Sequence, residues 1–259
     1  MSFAAPVSDQ RLTLNAVVRL SEMDGAPDAD IVDAVLEGAA ALAEGEFAPL
    51  DRVGDTVGSR WDNGTVTTPP GFRQAYQSFV EGGWMSLAAP EVHGGQGLPF
   101  ALAAALMEDL NAANLGFALC PMLGMGAIEA VERHGSGELK RDYLARMVSG
   151  EWPATMNLTE PQAGSDVGAL KTRAESNGDG SWRISGTKIF ITYGEHDLAD
   201  QIIHLVLART PGAPEGTRGI SLFLVPKLLP DGTRNDLRCV SIEHKLGNHA
   251  SPTCVMSYG

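Results

Sequence analysis

"TMNLTEPQAGSDVGALKTRAE", residues 155–175, divides this 259-residue sequence into two kinds of chain. Before it, apolar residues recur at helical spacing; after it, they alternate. Within it, Thr159, Ser165 and Thr172 surround Pro161 and Gly164. Small hydroxyl residues on such a turn can serve the turn alone. They can also join free backbone N–H groups in a row of donors for something flat and polar. A border between a helical and a strand-rich half is where ligand clefts are commonly found.

Upstream, Asp30 is placed to cap a helix carrying Ile31, Val35, Ala39 and Leu42 on one face. Phe72, Tyr76, Phe79 and Val80 recur at helical spacing until Gly82-Gly83. Pro99 opens an Ala- and Leu-rich helix through about Asn111, and Pro121 opens another through His134. Ser136 caps a last helix with Leu139, Tyr143, Leu144 and Met147 along one side. Downstream of Gly150, "SWRISGTKIFIT", "QIIHLVLAR" and "GISLFLVP" read as short strands between turns rich in Gly, Pro and Asp. The pattern predicts an α+β multidomain chain. An all-α helical bundle (residues 1–150) precedes an antiparallel β-domain of barrel or sandwich type (residues 151–259).

A formal net charge of −13 excludes the clustered basic surface that nucleic acid requires. Cys120, Cys239 and Cys254 are too few and too odd in number for a disulfide framework. The first twenty residues have neither a basic n-region nor a long apolar core, and no run reaches the ~20 apolar residues of a membrane span. A cytoplasmic protein is expected. Walker, G-x-S-x-G, H-E-x-x-H and C-x-x-C motifs are absent. "GMGAIE" (124–129) lacks the third glycine of a dinucleotide fingerprint, and small-residue helix packing explains it better. Cys239, His244, His249 and Cys254 follow each other every five residues, a rhythm matching no common zinc spacing, so no metal is expected.

In strand 187–192, alternation sends Thr187, Ile189 and Ile191 to one face and Lys188, Phe190 and Thr192 to the other. Phe190 and Thr192 then pair an aromatic plate with a hydroxyl donor. The residues alone leave two readings equally open: a turn followed by a half-buried strand, or a wall for a planar cofactor.

Three ordered motifs favour the second. "LTEPQAGSD" resembles the flavin-contacting segment of the acyl-CoA dehydrogenases, "GTKIFITYGEHDLAD" resembles their following strand, and "APEVHGGQG" their P-E-x-x-G-G-x-G loop. The likeness runs from about residue 70 to the end and is greatest to the branch that includes the 3-methylmercaptopropionyl-CoA dehydrogenases. It implies that Met156 to Ser165 line an FAD, with Leu158 and Thr159 near its N5/O4 edge. Phe190, Ile191 and Thr192 would then wall the other part of the ring, and Ser165 would lie where cofactor meets acyl-CoA. Phe190 stands where tryptophan is common in the family, Met156 where a tyrosine or other aromatic is, and Gln162 where glycine is usual. Glu160 is expected to be structural rather than a base.

The implied reaction is α,β-dehydrogenation of an acyl-CoA thioester, with electrons passed to an electron-transfer flavoprotein. The family's glutamate base and its oligomer interface belong to a C-terminal helical domain. Nothing in residues 1–259 matches that base motif, so no catalytic residue is named and the domain is expected beyond Gly259. Two other readings remain: an acyl-CoA oxidase, which would reoxidise rapidly in air, and a non-catalytic partner that keeps the fold.

Overall fold

Helix-forming segments fill the first half because their apolar residues repeat every three to four positions and bury one stripe each. The structure, a computed structural model, describes residues 3–259. Helices α1 (Val7–Leu12), α2 (Ala29–Leu42), α3 (Ala48–Val57), α4 (Phe72–Glu81), α5 (Phe100–His134), α6 (Gly137–Leu139) and α7 (Ala145–Ser149) make the bundle. Wide π-type turns at Ala43–Phe47 and Lys140–Leu144 join α2 to α3 and α6 to α7. Phe117 stacks on Phe47 at 4.5 Å between ring centres and meets Phe72 at the same distance, forming the aromatic centre of the bundle.

Local readings changed where packing or an extra hydrogen bond outranked pattern. Helix α2 begins at Ala29 after Asp28 rather than at a cap on Asp30. Ile31 is exposed, and Val32 and Leu36 take the buried stripe. The expected pair of helices on either side of residues 112–120 is one long element interrupted at Asn114 (φ −162°, ψ 85°). The Asn114 side-chain oxygen accepts from the Phe117 amide at 3.1 Å, so Asn114 caps the second half and Pro121 falls inside it. An 18-residue window of α5 has mean hydropathy 1.4, long and apolar enough on composition to cross a membrane. Its apolar residues serve the core instead: Leu102, Leu106, Leu110, Phe117 and Ala127 are fully buried. Ser136 does cap α6, accepting from the Leu139 amide at 3.2 Å. Gly124 works in helix packing, since a Cβ there would come within 2.8 Å of Met85 Cε.

The helical half also holds a small hairpin, β1 (Arg60–Asp62) and β2 (Thr65–Thr67). The second half contains β3 (Ala154–Asn157), β4 (Arg173–Ser176), β5 (Trp182–Thr192), β6 (Ile203–Ala208), β7 (Ser221–Pro226), β8 (Leu237–Ile242) and β9 (Thr253–Tyr258). They form two sheets, ordered β3-β6-β7 and β4-β5-β9-β8. All pairs in them are antiparallel except β3 with β6, which is parallel, Ala154 opposite Ile203. This corrects the expectation of a purely antiparallel domain. The 45 residues between β3 and β6 supply the crossover a parallel pair needs, and they contain β4 and β5.

Strand β6 is buried on both faces. Ile203 and Leu205 pack with the helices, while Val206 and Ala208 join Ile191, Cys254 and Met256 between the sheets. The β-domain is thereby seated on the bundle through a shared core that includes Tyr193, Leu198 and Ala250.

Candidate flavin-facing site

The turn after β3 is built around Glu160. Its amide donates to the Ala163 carbonyl (3.0 Å) and the Ala163 amide returns a bond to the Glu160 carbonyl (2.9 Å), closing the turn around Pro161. Gly164 is folded back toward Thr159, to within 3.9 Å of Thr159 Cγ2 from a Cβ placed there. The Glu160 carboxylate turns inward. It accepts from Lys188 Nζ (2.8 Å), the Thr172 amide (3.0 Å), the Lys171 amide (2.7 Å) and Gln162 Nε2 (2.6 Å). Burial alone would raise its pKa, but the bonds from Lys188, Thr172 and Lys171 outweigh burial and hold it at about 2. A carboxylate so fully engaged takes no proton from a substrate, which agrees with the structural role expected of it.

The second wall is the end of β5, and here alternation fails. The pairing of β5 with β9 shifts between Lys188 and Ile191, a β-bulge. Phe190 adopts a left-handed φ of 59° and is 58% exposed, while Lys188 and Ile191 are both buried. Lys188 therefore does not share a face with Phe190, as the period of two predicted. The extra residue in the bulge lets Lys188 and Ile191 both point inward and pushes Phe190 out.

The two walls are tied together. The Ile189 amide donates to the Thr159 carbonyl (2.9 Å), and the buried Thr155 hydroxyl donates to the Thr192 carbonyl (2.6 Å). Of the predicted residues, Met156 is half-buried and lies 3.8 Å from a Cβ placed on Gly126 of α5. Leu158, Thr159 and Thr192 are half-buried, and Ser165 is exposed. The hydroxyls of Thr159, Ser165 and Thr192 and the amide of Thr159 have no hydrogen-bond partner among the described residues. Ile191 differs from the others: it is buried in the inter-sheet core, its backbone is paired with Cys254 of β9, and its carbonyl accepts from the Gly194 amide, so it offers a ligand no free group.

Helix α5 borders this face. Leu115 and Met122, each more than 40% exposed, lie seven residues apart on the side that carries Gly126. The face thus carries unpaired donors beside partly exposed apolar side chains. That donor set fits an isoalloxazine ring, whose polar edge needs donors and whose body needs apolar cover. A separate cavity of about 740 Å³, lined by Tyr143, Arg146 and Trp152 among others, adjoins the other end of β3 and contains none of the predicted residues. Among the described residues no group of His, Cys, Asp or Glu is arranged to hold a metal. Two contributors were invisible to pattern reading: Thr155, one residue of a short strand, and Lys188, a charged residue that shares the inward face of Ile184 and finds its partner in the distant Glu160.

The family models for the acyl-CoA dehydrogenase N-terminal domain and middle domain match residues 33–151 and 155–258. The chain is 48% identical to 3-methylmercaptopropionyl-CoA dehydrogenase of Ruegeria pomeroyi, with all of the chain and 46% of that protein covered. It superposes on a chain in the solved structure of the electron transferring flavoprotein of Acidaminococcus fermentans with TM-score 0.74 at 29% identity, covering 92% of this chain and 57% of that one. An acyl-CoA dehydrogenase complexed with FAD from Bacillus anthracis shares the fold, with TM-score 0.72 at 24% identity and coverage of 91% and 36%. The chain thus spans about half the length of the proteins it matches. With both domain models matched in order along a fold that such structures share, the chain belongs to the acyl-CoA dehydrogenase family.

Proposed function

We propose that this chain is the flavin-holding portion of an enzyme that dehydrogenates an acyl-CoA thioester to the trans-2-enoyl-CoA. One observation carries the reading: the Thr159 and Thr192 hydroxyls and the Thr159 amide stand unpaired beside the outward-held ring of Phe190. Thr159 and Thr192 would hold the polar edge of the ring system, Phe190 would cover it, and the Met156 side chain would close the site against α5. When bound, FAD supplies the acceptor for the hydrogen leaving the β-carbon as hydride. Leu115 and Met122 would exclude water from the acyl side, and Ser165 would meet the substrate at the mouth of the turn.

In the same reading the α-proton is taken by a carboxylate outside residues 1–259. Glu160, with its pKa at about 2, is unsuited to that role. Electron transfer to an electron-transfer flavoprotein, a homo-oligomeric state and a cytoplasmic setting belong to this proposal. The three buried free thiols support a reducing compartment. The identity to 3-methylmercaptopropionyl-CoA dehydrogenase makes a short, thioether-containing acyl chain the first substrate to try.

The test is an anaerobic visible spectrum of the FAD-loaded chain before and after a panel of acyl-CoA thioesters. A yellow protein that does not bleach supports a flavin-holding portion whose base lies elsewhere. Bleaching would locate a working base within these residues and overturn that part of the reading. A protein that takes up no FAD would remove the proposal's foundation.

A further inference from the structure

Lys188 has no exposed surface. Burying an ammonium is expensive unless its hydrogen bonds are made, and two of its three are accounted for: Glu160 Oε1 at 2.8 Å and the Leu158 carbonyl at 2.9 Å. Glu160 already receives the Lys171 and Thr172 amides and Gln162, so the turn has other donors for its carboxylate. The bond to the Leu158 carbonyl is different, because nothing else among the described residues donates to it.

The Leu158–Thr159 peptide is trans, so its N–H points away from its carbonyl. With the carbonyl aimed inward at Lys188, the Thr159 N–H is aimed outward. It receives no partner there, because pairing of β3 with β6 ends at Asn157 opposite Val206. The next carbonyl, that of Thr159, is pinned by the Ile189 amide at 2.9 Å, at the foot of the bulge that presents Phe190. One buried residue of β5 thus sets the direction of an open donor on the opposite wall.

We propose that Lys188 is a positioning residue for the flavin-facing wall: through the Leu158 carbonyl it aims the Thr159 amide outward and polarises that peptide, making the amide a stronger donor to an electron-rich ring edge. A cation on a carbonyl oxygen draws density from the peptide nitrogen, so the N–H proton becomes more positive. A donor strengthened in this way favours the acceptor atom most when that atom gains negative charge, as a flavin edge does on reduction. The inference rests on the flavin reading above.

Lys188→Met alone would leave Glu160 buried and unpaired, so the informative variant is Lys188→Met combined with Glu160→Gln. Its control is Glu160→Gln alone, which keeps the ammonium on the Leu158 carbonyl. Three readouts apply: the Thr159 amide proton shift in FAD-free protein, FAD affinity by flavin-fluorescence titration, and the reduction potential of the bound flavin. In the double variant the Thr159 proton is expected to move upfield, FAD affinity to fall about tenfold, the scale of one charge-assisted hydrogen bond, and the potential to become more negative. The control, read at a pH low enough to keep the Lys188 amine charged, keeps values near those of the unchanged chain. A folded double variant with an unmoved Thr159 resonance, or with unchanged affinity and potential, overturns the assignment. If the unchanged chain binds no FAD, the flavin reading fails by itself, and the Thr159 shift still decides what Lys188 does to the peptide. Should the double variant not fold, Glu160→Gln is read alone: by freeing Lys188 from its counter-charge it should make the Thr159 shift follow the titration of the amine, and a pH-independent shift overturns the proposal.

Discussion

The Thr155 hydroxyl reaches from β3 to the Thr192 carbonyl at the end of β5, a 2.6 Å bond with Thr155 fully buried. It joins the two segments that carry the proposed flavin contacts, and it lies one residue from Met156.

Thr155→Val keeps the shape and removes the donor, leaving the Thr192 carbonyl without its partner. A loss of about 1–2 kcal/mol in unfolding free energy is expected, with weaker FAD binding because Thr192 is no longer fixed. Thr155→Ser keeps the hydroxyl, so denaturant unfolding should show a loss of about 0.8 kcal/mol for the missing methyl and FAD affinity should hold. Equal affinity in the valine and serine variants would remove Thr155 from the site.

Phe190 combines a left-handed backbone with a ring that is 58% exposed, so it contributes little to the core. An L-residue in that conformation costs about 1–2 kcal/mol, which glycine avoids. Phe190→Gly should therefore leave thermal stability equal or higher while FAD binding weakens. A variant that loses stability, or one that binds FAD as before, would contradict the role given to the bulge.

Acid should unfold the β-domain in two stages. Burial first, then the nearby cations, lower the pKa values of His196 and His204 from 6.5 to about 3. Their neutral forms are native, so stability is full above about pH 6.5 and falls as pH drops from there toward 3. Glu160, lowered from 4.5 to about 2 by donors that overcome its burial, adds a second loss between those values. Urea titrations at pH 7, 5 and 4 should give steadily lower midpoints. A His204→Gln chain should lose less between pH 7 and 5, and an unchanged slope would show that His204 is not responsible.

His249 works in the opposite direction. Its Nδ1 faces the Asp55 carbonyl at 2.9 Å and the Asp55 carboxylate at 3.1 Å, and its Nε2 faces the Lys245 carbonyl at 2.9 Å. Both nitrogens face acceptors, an arrangement that favours the protonated ring, and its pKa is raised chiefly by the bonds to the Asp55 and Lys245 backbone. The stability it adds is present below pH 6.5 and disappears as pH rises through the raised value. Asp51 and Arg52 line the same cavity, Lys245 and Asp55 flank the ring, and His244 lies 6.3 Å from it between ring centres. Comparing the native chain with His249→Gln should show a stability gap at pH 6 that closes by pH 9. A gap of constant size would mean the ring binds as a neutral group.

Much of the architecture was readable because burial imposes its period on the sequence. Phe72, Tyr76 and Phe79 sit inside α4 as their spacing predicted, and the change of pattern beyond Gly150 coincides with the passage from α7 to β3. What escaped depends on contacts distant in sequence. The break in α5 is set by Asn114, whose side chain caps Phe117 and also reaches the Phe47 carbonyl. The parallel pairing of β3 with β6 leaves no trace in either strand: β6 is apolar enough to be buried in any partner order, and β3 is only four residues long and half polar. In the site, Thr159 and Ser165 were legible as hydroxyls on a turn. The separation of Phe190 from Lys188 was not, because the bulged residue after Lys188 inverts every face assignment beyond it.

The most direct test is a backbone-amide NMR map of the chain titrated with FAD. The account predicts one saturable site, with the largest shifts at Leu158, Thr159, Ile191 and Thr192 and smaller ones along α5 near Met122 and Gly126. Shifts centred on Tyr143, Arg146 and Trp152, or a spectrum unmoved by FAD, would contradict it.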